Sequence, residues 1–345
     1  MVTLQEIARR ASVSIGTVDR VLHDRGRVSP ETKCRVQRII AELNYRPNVM
    51  ARNLSLKKVF RFGVLFPESY QDGKYWELPV EGVKKAVDEL KMYNVDAEYF
   101  LYDKYSEISF KKACENILKS KRHLDGLVIA PVLSKASERM ICQIPNTLPY
   151  IFIDSYVPQS HSLSYIGQES FQSGILAAKL MRLQIDSGRI AVYRVLPQDY
   201  HIEDRIRGFC SAYYNLPQFK IDIFDADRQK SSNVFYEVSE KIFNDGSVIH
   251  GVFVPSACTH QVAEYLVSAG KAETTILIGY DLVEQNRRYL AEGVINFLIS
   301  QRPAMQGYQA IYSLYRHVIL KEPVEQEMVM PMDILTKENL SYYEG

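Results

Sequence analysis

Twelve of the first 58 residues are lysine or arginine and five are aspartate or glutamate, a formal +7. The whole chain carries only +1, so the remainder holds −6. A basic arm on an acidic body is the charge pattern of a polyanion-binding module joined to a domain with different work to do. Catalytic patterns are missing. The seven histidines show neither HExxH nor any other ligand spacing, and no GxSxG elbow occurs. The first strand-like run leads into FPESYQDGKYW, which contains neither GxGxxG nor GxxxxGK[ST] to cradle a phosphate. Cys34, Cys114, Cys142, Cys210 and Cys258 are odd in number and never form CxxC, so neither a disulfide framework nor a zinc site is suggested. Enzyme activity, a cofactor and a metal are therefore not expected.

The basic side chains need elements to carry them. Thr3 to Glu6 reads as a capping box, which starts a helix in which Leu4, Ile7, Ala8 and Ala11 share a face. Ser12-Val13-Ser14 interrupts it, and Ser14 caps a second helix buried through Val18, Val21 and Leu22. That leaves Ile15, Gly16, Asp19 and Arg20 facing outward, the layout of a helix-turn-helix. Ser29-Pro30 opens a third helix, with Val36, Ile39, Ile40 and Leu43 facing the other two. After Pro47, residues 49–55 have the length of about two helical turns, too short to be stable alone in water.

The stretch TLQEIARRASVSIGTVDRVLHDRGRVSPETKCRVQRIIAELNYRPNVMARNLS closely resembles the headpiece of the lactose-repressor (LacI/GalR) family. The resemblance implies that the second helix enters the DNA major groove and that Ile15, Gly16 and Arg20 occupy base-reading positions. An arginine there can bond bidentately to guanine O6 and N7, worth roughly 1 to 3 kcal/mol of discrimination. Thr17, Asn48 and Arg52 are implied phosphate contacts, which position without reading sequence. Leu54 matches the leucine that wedges into the minor groove and kinks the duplex. Asp19 departs from the family's usual serine, which leaves the operator preference open.

From Phe60 onward apolar runs alternate with amphipathic stretches: FRFGVLF, WELPVEGVKKAVDEL, VDAEYFLY, GLVIAP and PYIFID, then RIAVYRV, HGVFVP and TTILIGYD. Such alternation predicts parallel sheets covered by helices on both faces, and more than ten strands predict two lobes. The body resembles the periplasmic sugar-binding-protein fold. The expected class is thus a two-lobed, doubly wound α/β effector domain plus a small all-α helix-turn-helix headpiece.

The expected boundaries are 1–46 for the headpiece, 47–58 for the hinge and 59–345 for the effector domain. Lobe 1 would take 59–163 and 297–323, and lobe 2 would take 164–296 and 324–345, with crossings near Leu163, Phe297 and Pro323. In this fold ligands sit in the cleft at the carboxyl ends of the strands. The resemblance places Tyr75 and Trp76 as aromatics stacking on a sugar ring. It makes Asp154 and Asp281 acceptors for hydroxyls, Arg205 a donor from the other lobe, and Gln301 a polar hinge residue. Ser256-Ala257 stands where relatives have Asn-Asp, so one amide and one carboxylate are lost, Ser256 is the cleft residue that remains there, and the ligand class is left open. Gln168-Glu169-Ser170 replaces a frequent Asp-Asn pair.

These expectations describe a homodimeric repressor of carbohydrate-utilisation genes with operator DNA and a sugar or polyol as partners. A purine-responsive regulator is the nearest alternative, and an enzyme on a doubly wound sheet the alternative of another class. The start MVTLQEIARRAS has no secretory apolar stretch, and no run reaches the roughly 18 to 20 apolar residues of a membrane span. A cytoplasmic location is expected. No leucine heptad follows Asp333, so no tetramerising tail is expected.

Overall fold

The computed structural model describes residues 3–22, 26–43, 58–120 and 123–343. The chain divides into two compact units, 1–56 and 57–345. In the first unit, α1 (Leu4–Ala11), α2 (Ile15–Leu22) and α3 (Pro30–Glu42) form a three-helix module. Hydroxyl caps start each helix. The Glu6 amide donates to Thr3 Oγ1 at 3.3 Å, the Thr17 amide to Ser14 Oγ at 3.2 Å and the Thr32 amide to Ser29 Oγ at 3.3 Å. Such a cap typically contributes about 1 kcal/mol. Ser12 closes α1 in the left-handed conformation and turns the chain into α2. Ile7, Ala8, Ala11, Val18, Val21 and Val36 form the buried core, with Val13, Ile39, Ile40 and Leu43 packed on it.

The second unit contains two six-stranded sheets. The first is fed by β1 (Phe60–Pro67), α4 (Glu77–Leu90), β2 (Val95–Tyr102), α5 (Glu107–Leu118), β3 (Gly126–Ile129), α6 (Ser134–Ile141), β4 (Tyr150–Ile153) and β5 (Ser164–Gly167). The second is fed by α7 (Ser170–Arg182), β6 (Gly188–Leu196), α8 (Tyr200–Ser211), β7 (Phe219–Asp227), α9 (Val234–Phe243), β8 (Ile249–Phe253), α10 (Thr259–Ser268), β9 (Ile276–Tyr280), α11 (Glu284–Ala291) and β10 (Phe297–Ser300). The chain then returns to the first lobe through α12 (Pro303–Tyr315) and β11 (Glu327–Val329), and ends in the second with β12 (Asp333–Leu335).

Strand order is β11-β5-β4-β3-β1-β2 in one sheet and β12-β10-β9-β8-β6-β7 in the other. The paired strands run parallel except β10 with β12. Strands such as β3 and β4 are buried along their whole length, as a sheet covered on both faces requires.

The crossings lie later than the sequence suggested. β5 belongs to the first sheet, so the first crossing follows Gly167 rather than Leu163. β10 belongs to the second sheet, which moves the second crossing from Phe297 to beyond Ser300. β11 still belongs to the first sheet, so the third crossing lies between Val329 and Asp333 rather than at Pro323. The cause is that a short apolar strand reads the same whichever sheet it joins, and only backbone pairing decides.

Glycine contacts set the helix pairs that carry the cleft residues. A Cβ on Gly208 of α8 would lie 1.9 Å from the Phe171 carbonyl oxygen, and one on Gly174 of α7 would lie 2.0 Å from that of Arg205. Only hydrogen fits at this crossing, and it fixes the α8 backbone beneath Arg205.

Candidate functional site

On α2 the outward residues share one face. Ile15 is 45% exposed, Gly16 and Arg20 are exposed, and Thr17 is half-buried, its Oγ1 2.9 Å from Ser14 Oγ. Val18 and Val21, on the opposite side, are buried in the headpiece core. Asn48, Arg52 and Leu54 lie outside the described residues.

The structure brings Tyr75, Trp76, Asp154, Arg205, Ser256, Asp281 and Gln301 around one cavity between the lobes, together with Asp72, Lys104, His201, Ile202 and Ala257. Asp154 follows β4 and Asp281 follows β9, both in the left-handed region, with φ of 66° and 63°. The two lobes thus present a carboxylate from the same kind of turn, and strained backbone of this sort clusters at functional sites. Asn286 braces the second turn, its Nδ2 donating to the carbonyls of Ala257, Tyr280 and Asp281 at 2.9 to 3.0 Å.

Gln301 joins the lobes. Its Nε2 donates to Tyr75 Oη at 3.0 Å and to Asp281 Oδ2 at 3.2 Å, and its Oε1 accepts from Arg205 Nη2 at 2.9 Å. Tyr75 in turn donates to Asp154 Oδ1 at 2.6 Å. The Arg205 guanidinium also donates to the Pro255 carbonyl at 3.1 Å and lies 4.0 Å above the centre of the Tyr280 ring. An alternative use of Arg205, pairing with Glu203 or Asp204, is not what the fold does: Asp204 takes Arg207 and Tyr156. Ser256 Oγ accepts from the Cys258 amide at 3.4 Å, so it shapes the turn into α10.

Residues that sequence reading did not single out complete the wall. Asp72 stands in a left-handed turn beside Gly73 and accepts from Lys104 Nζ at 2.7 Å, from Trp76 Nε1 at 3.3 Å and from Tyr105. Burial alone would raise this carboxyl, but Lys104 and Tyr105 outweigh it and hold it below the usual carboxylate range. His201 Nδ1 lies 2.8 Å from Asp199 Oδ1 and its Nε2 lies 3.9 Å from Asp154. Signals for them existed: Lys104 lies just past the carboxyl end of β2, Asp-Gly at 72–73 is a turn pair, and His201 precedes Arg205 by four residues on α8.

Burial, opposed by Arg205 and reinforced by Asp154, pushes the Asp281 carboxyl up to about 7. Burial, with the charges of Asp154 and Asp281, puts the Tyr75 hydroxyl well above its ordinary value, so it acts as a donor. Three buried polar atoms in or beside this cavity have no protein partner: Asp281 Oδ1, Arg205 Nε and Asp199 Oδ2. Unpaired buried groups cost about 1 to 3 kcal/mol each and are the atoms a polar ligand would satisfy.

The cavity itself is only about 20 Å³, room for about one water. The lobes are closed on each other. Ser134 Oγ donates to the Gln198 carbonyl at 2.8 Å, Gln229 Nε2 to the Tyr105 carbonyl at 3.0 Å, and Tyr200 to Glu138. At the hinge, Gln168 Nε2 donates to the carbonyls of Ser300 at 2.8 Å and Pro331 at 2.9 Å, which ties all three crossings together. Arg302 clamps Asp333 bidentately at 2.6 and 3.0 Å across the second and third.

Residues 62–322 match the periplasmic binding protein domain, and residues 3–48 match the bacterial regulatory proteins of the lacI family. The chain belongs to the periplasmic binding protein domain family and carries a lacI-family headpiece. Over 127 residues it is 32% identical to catabolite control protein A of Staphylococcus xylosus, covering 37% of this chain and 36% of that protein. Over 76 residues it is 46% identical to the HTH-type transcriptional regulator AscG of Escherichia coli K12, 22% and 23% of the two chains. These alignments span well under two thirds of either relative.

Among solved structures, one described as a LacI transcriptional regulator from Bacteroides fragilis superposes with a TM-score of 0.75 at 28% identity, covering 83% of this chain and all of that one. The glucose-galactose binding protein GanP of Geobacillus stearothermophilus superposes at 0.74 with 21% identity, covering 82% and 99%, a likeness of fold. The fold class read from the sequence, a two-lobed body with a helix-turn-helix headpiece, is the observed one. No helix among the described residues is long and apolar enough to cross a membrane.

Proposed function

We propose that this LacI-family chain is a ligand-responsive transcriptional regulator, not an enzyme, that reads operator DNA through Ile15, Gly16 and Arg20 and holds a sugar or polyol between its lobes. The observation that carries the ligand reading is the set of unpartnered buried atoms, Asp281 Oδ1 and Arg205 Nε in the cavity wall and Asp199 Oδ2 beside it, together with the edge-to-face rings of Tyr75 and Trp76. Carboxylate acceptors and a guanidinium donor converging beside aromatic faces suit a molecule with an apolar ring face and a rim of hydroxyls. Ligand entry requires the lobes to part, since 20 Å³ holds no sugar.

Thr17, Asn48 and Arg52 would hold phosphates and Leu54 would wedge the minor groove. The protein would act in the cytoplasm as a homodimer, which pairs two headpieces on a pseudo-palindrome. The edge strands β2 and β7 offer the exposed apolar side chains Tyr99, Leu101 and Ile223 for such pairing. The genes it would repress are those of carbohydrate use.

The test is a thermal-shift screen against pentoses, hexoses, inositols, sugar acids, sugar phosphates and purines. A ligand at about 100 times its dissociation constant adds roughly 2.7 kcal/mol to stability. A shift with one sugar or polyol that disappears in Arg205→Ala supports the reading. A shift with purines alone moves the chain to a purine-responsive regulator.

A further inference from the structure

Beside the first crossing lies a second cavity, of about 520 Å³, that shares no lining residue with the Asp281 site. This volume is in the range of small-molecule sites, roughly 300 to 1,000 Å³. Its chemistry is one-sided. Three carboxylates line it, Glu169, Asp204 and Glu327, and three rings, Phe152, Tyr156 and Tyr165, with no lysine, arginine or histidine. The Tyr156 and Tyr165 rings lie 5.5 Å apart, inclined at 60°.

Arg207, outside the lining, pairs with one oxygen of Asp204 at 2.6 Å, and Tyr156 donates to the other at 2.6 Å. The Glu169 carboxylate accepts from the Gln172 amide at 2.6 Å and caps α7. Two further lining residues are almost wholly buried, Gln168 at 1% and Ser170 at 5% exposure, and their Oε1 and Oγ atoms have no partner. A wall of acceptors and π-faces attracts a cation and repels a phosphate or carboxylate.

The location adds a consequence. Tyr156, Tyr165 and Glu327 come from the first lobe, Ser170 and Asp204 from the second, and Gln168 is the residue that ties the three crossings. An occupant would touch both lobes beside the first crossing, and the Tyr156 to Asp204 bond already spans them there.

We propose that this cavity is a second ligand site, for a small organic ammonium compound held between residues of both lobes. The site is independent of the sugar reading of the main cleft, because the two share no residue.

The experiment is calorimetric titration and thermal denaturation of the full chain with choline and with putrescine, against sodium chloride at matched ionic strength. The neutral isostere of choline, carbon replacing nitrogen, serves as the comparison. Saturable binding of an ammonium compound is expected, with no binding of the isostere. A Glu169→Gln/Asp204→Asn double variant, which keeps the α7 cap and the Tyr156 bond, is expected to weaken it at least about tenfold, while Asp281→Asn binds as before. Glu327→Gln, at an exposed position, is a second variant expected to weaken binding should the double variant not fold. The proposal is overturned by absence of saturable binding with both amines, by equal binding of the isostere, by full binding in the double variant, or by loss in Asp281→Asn alone.

Discussion

Replacing Asp281 by asparagine should stabilise the ligand-free protein at alkaline pH and do little in acid. In the folded state burial holds this carboxyl at about 7, above its ordinary 3.8. The unfolded chain therefore gives up the proton first. Its ionisation costs stability as pH rises from about 4 to about 7, by up to about 1.4 kcal/mol per unit, and the loss is complete above the folded value. The shift of about three units corresponds to roughly 4 kcal/mol, a large share of the 5 to 15 kcal/mol typical of a domain.

Asparagine mimics the protonated acid and can still accept from Gln301 Nε2. The difference in urea stability between Asp281→Asn and the parent should grow between about pH 4 and about pH 7 and then level off, with the variant the more stable. Other titrating groups cancel in the subtraction. A hydroxyl ligand donating to the ionised carboxylate should reverse the preference and bind the parent more tightly as pH rises through 7. An Asp281→Asn variant less stable than the parent at every pH, or a difference independent of pH, would show that Asp281 is not a carboxyl raised by burial.

Gly208→Ala would press a Cβ onto the backbone oxygen of Phe171, which cannot rotate away, so α7 and α8 must separate. A loss of about 1 to 3 kcal/mol in chemical denaturation is expected, and parent-like stability would contradict the close crossing. Gln168→Ala leaves the carbonyls of Ser300 and Pro331 without their shared donor. It should cost about 2 kcal/mol and broaden the spread of interlobe distances measured by paired spin labels; an unchanged spread would remove Gln168 from the hinge. Arg20→Ala should lower operator affinity by roughly 1 to 3 kcal/mol and relax one base position. A loss equal on all sequences would make Arg20 a phosphate contact. Leu54→Ala should weaken specific DNA binding and spare ligand affinity, measured by anisotropy and calorimetry; undiminished DNA affinity would end the wedge reading.

The headpiece was the most legible part of the chain, because caps, turn and apolar spacing agree within a short local segment. Thr3, Ser14 and Ser29 cap as their residue types suggest. Seven positions read from the sequence line one cavity, since strand ends such as PYIFID and ILIGYD mark the rim of a parallel sheet. Lys104 and Asp72 escaped because their roles rest on each other across 32 residues, a pairing with no local signature. His201 escaped because a single histidine on a helix looks the same exposed or buried. The lobe boundaries were displaced because β5 and β10 are four-residue strands buried along most of their length, which carries no information about the partner strand.

The proposed regulator couples DNA at the headpiece to a ligand between the lobes of the same chain. Once a sugar or polyol has been found by its thermal shift, its dissociation constant should be measured by calorimetry with and without DNA selected for tight binding. Linkage requires the ligand constant to change by the same factor as the DNA constant changes with ligand, typically about 5- to 150-fold. Equal and reciprocal changes, abolished by Arg205→Ala, are the expected result. A ligand that binds this cleft with the same constant whether or not DNA is bound would show that the two sites are uncoupled.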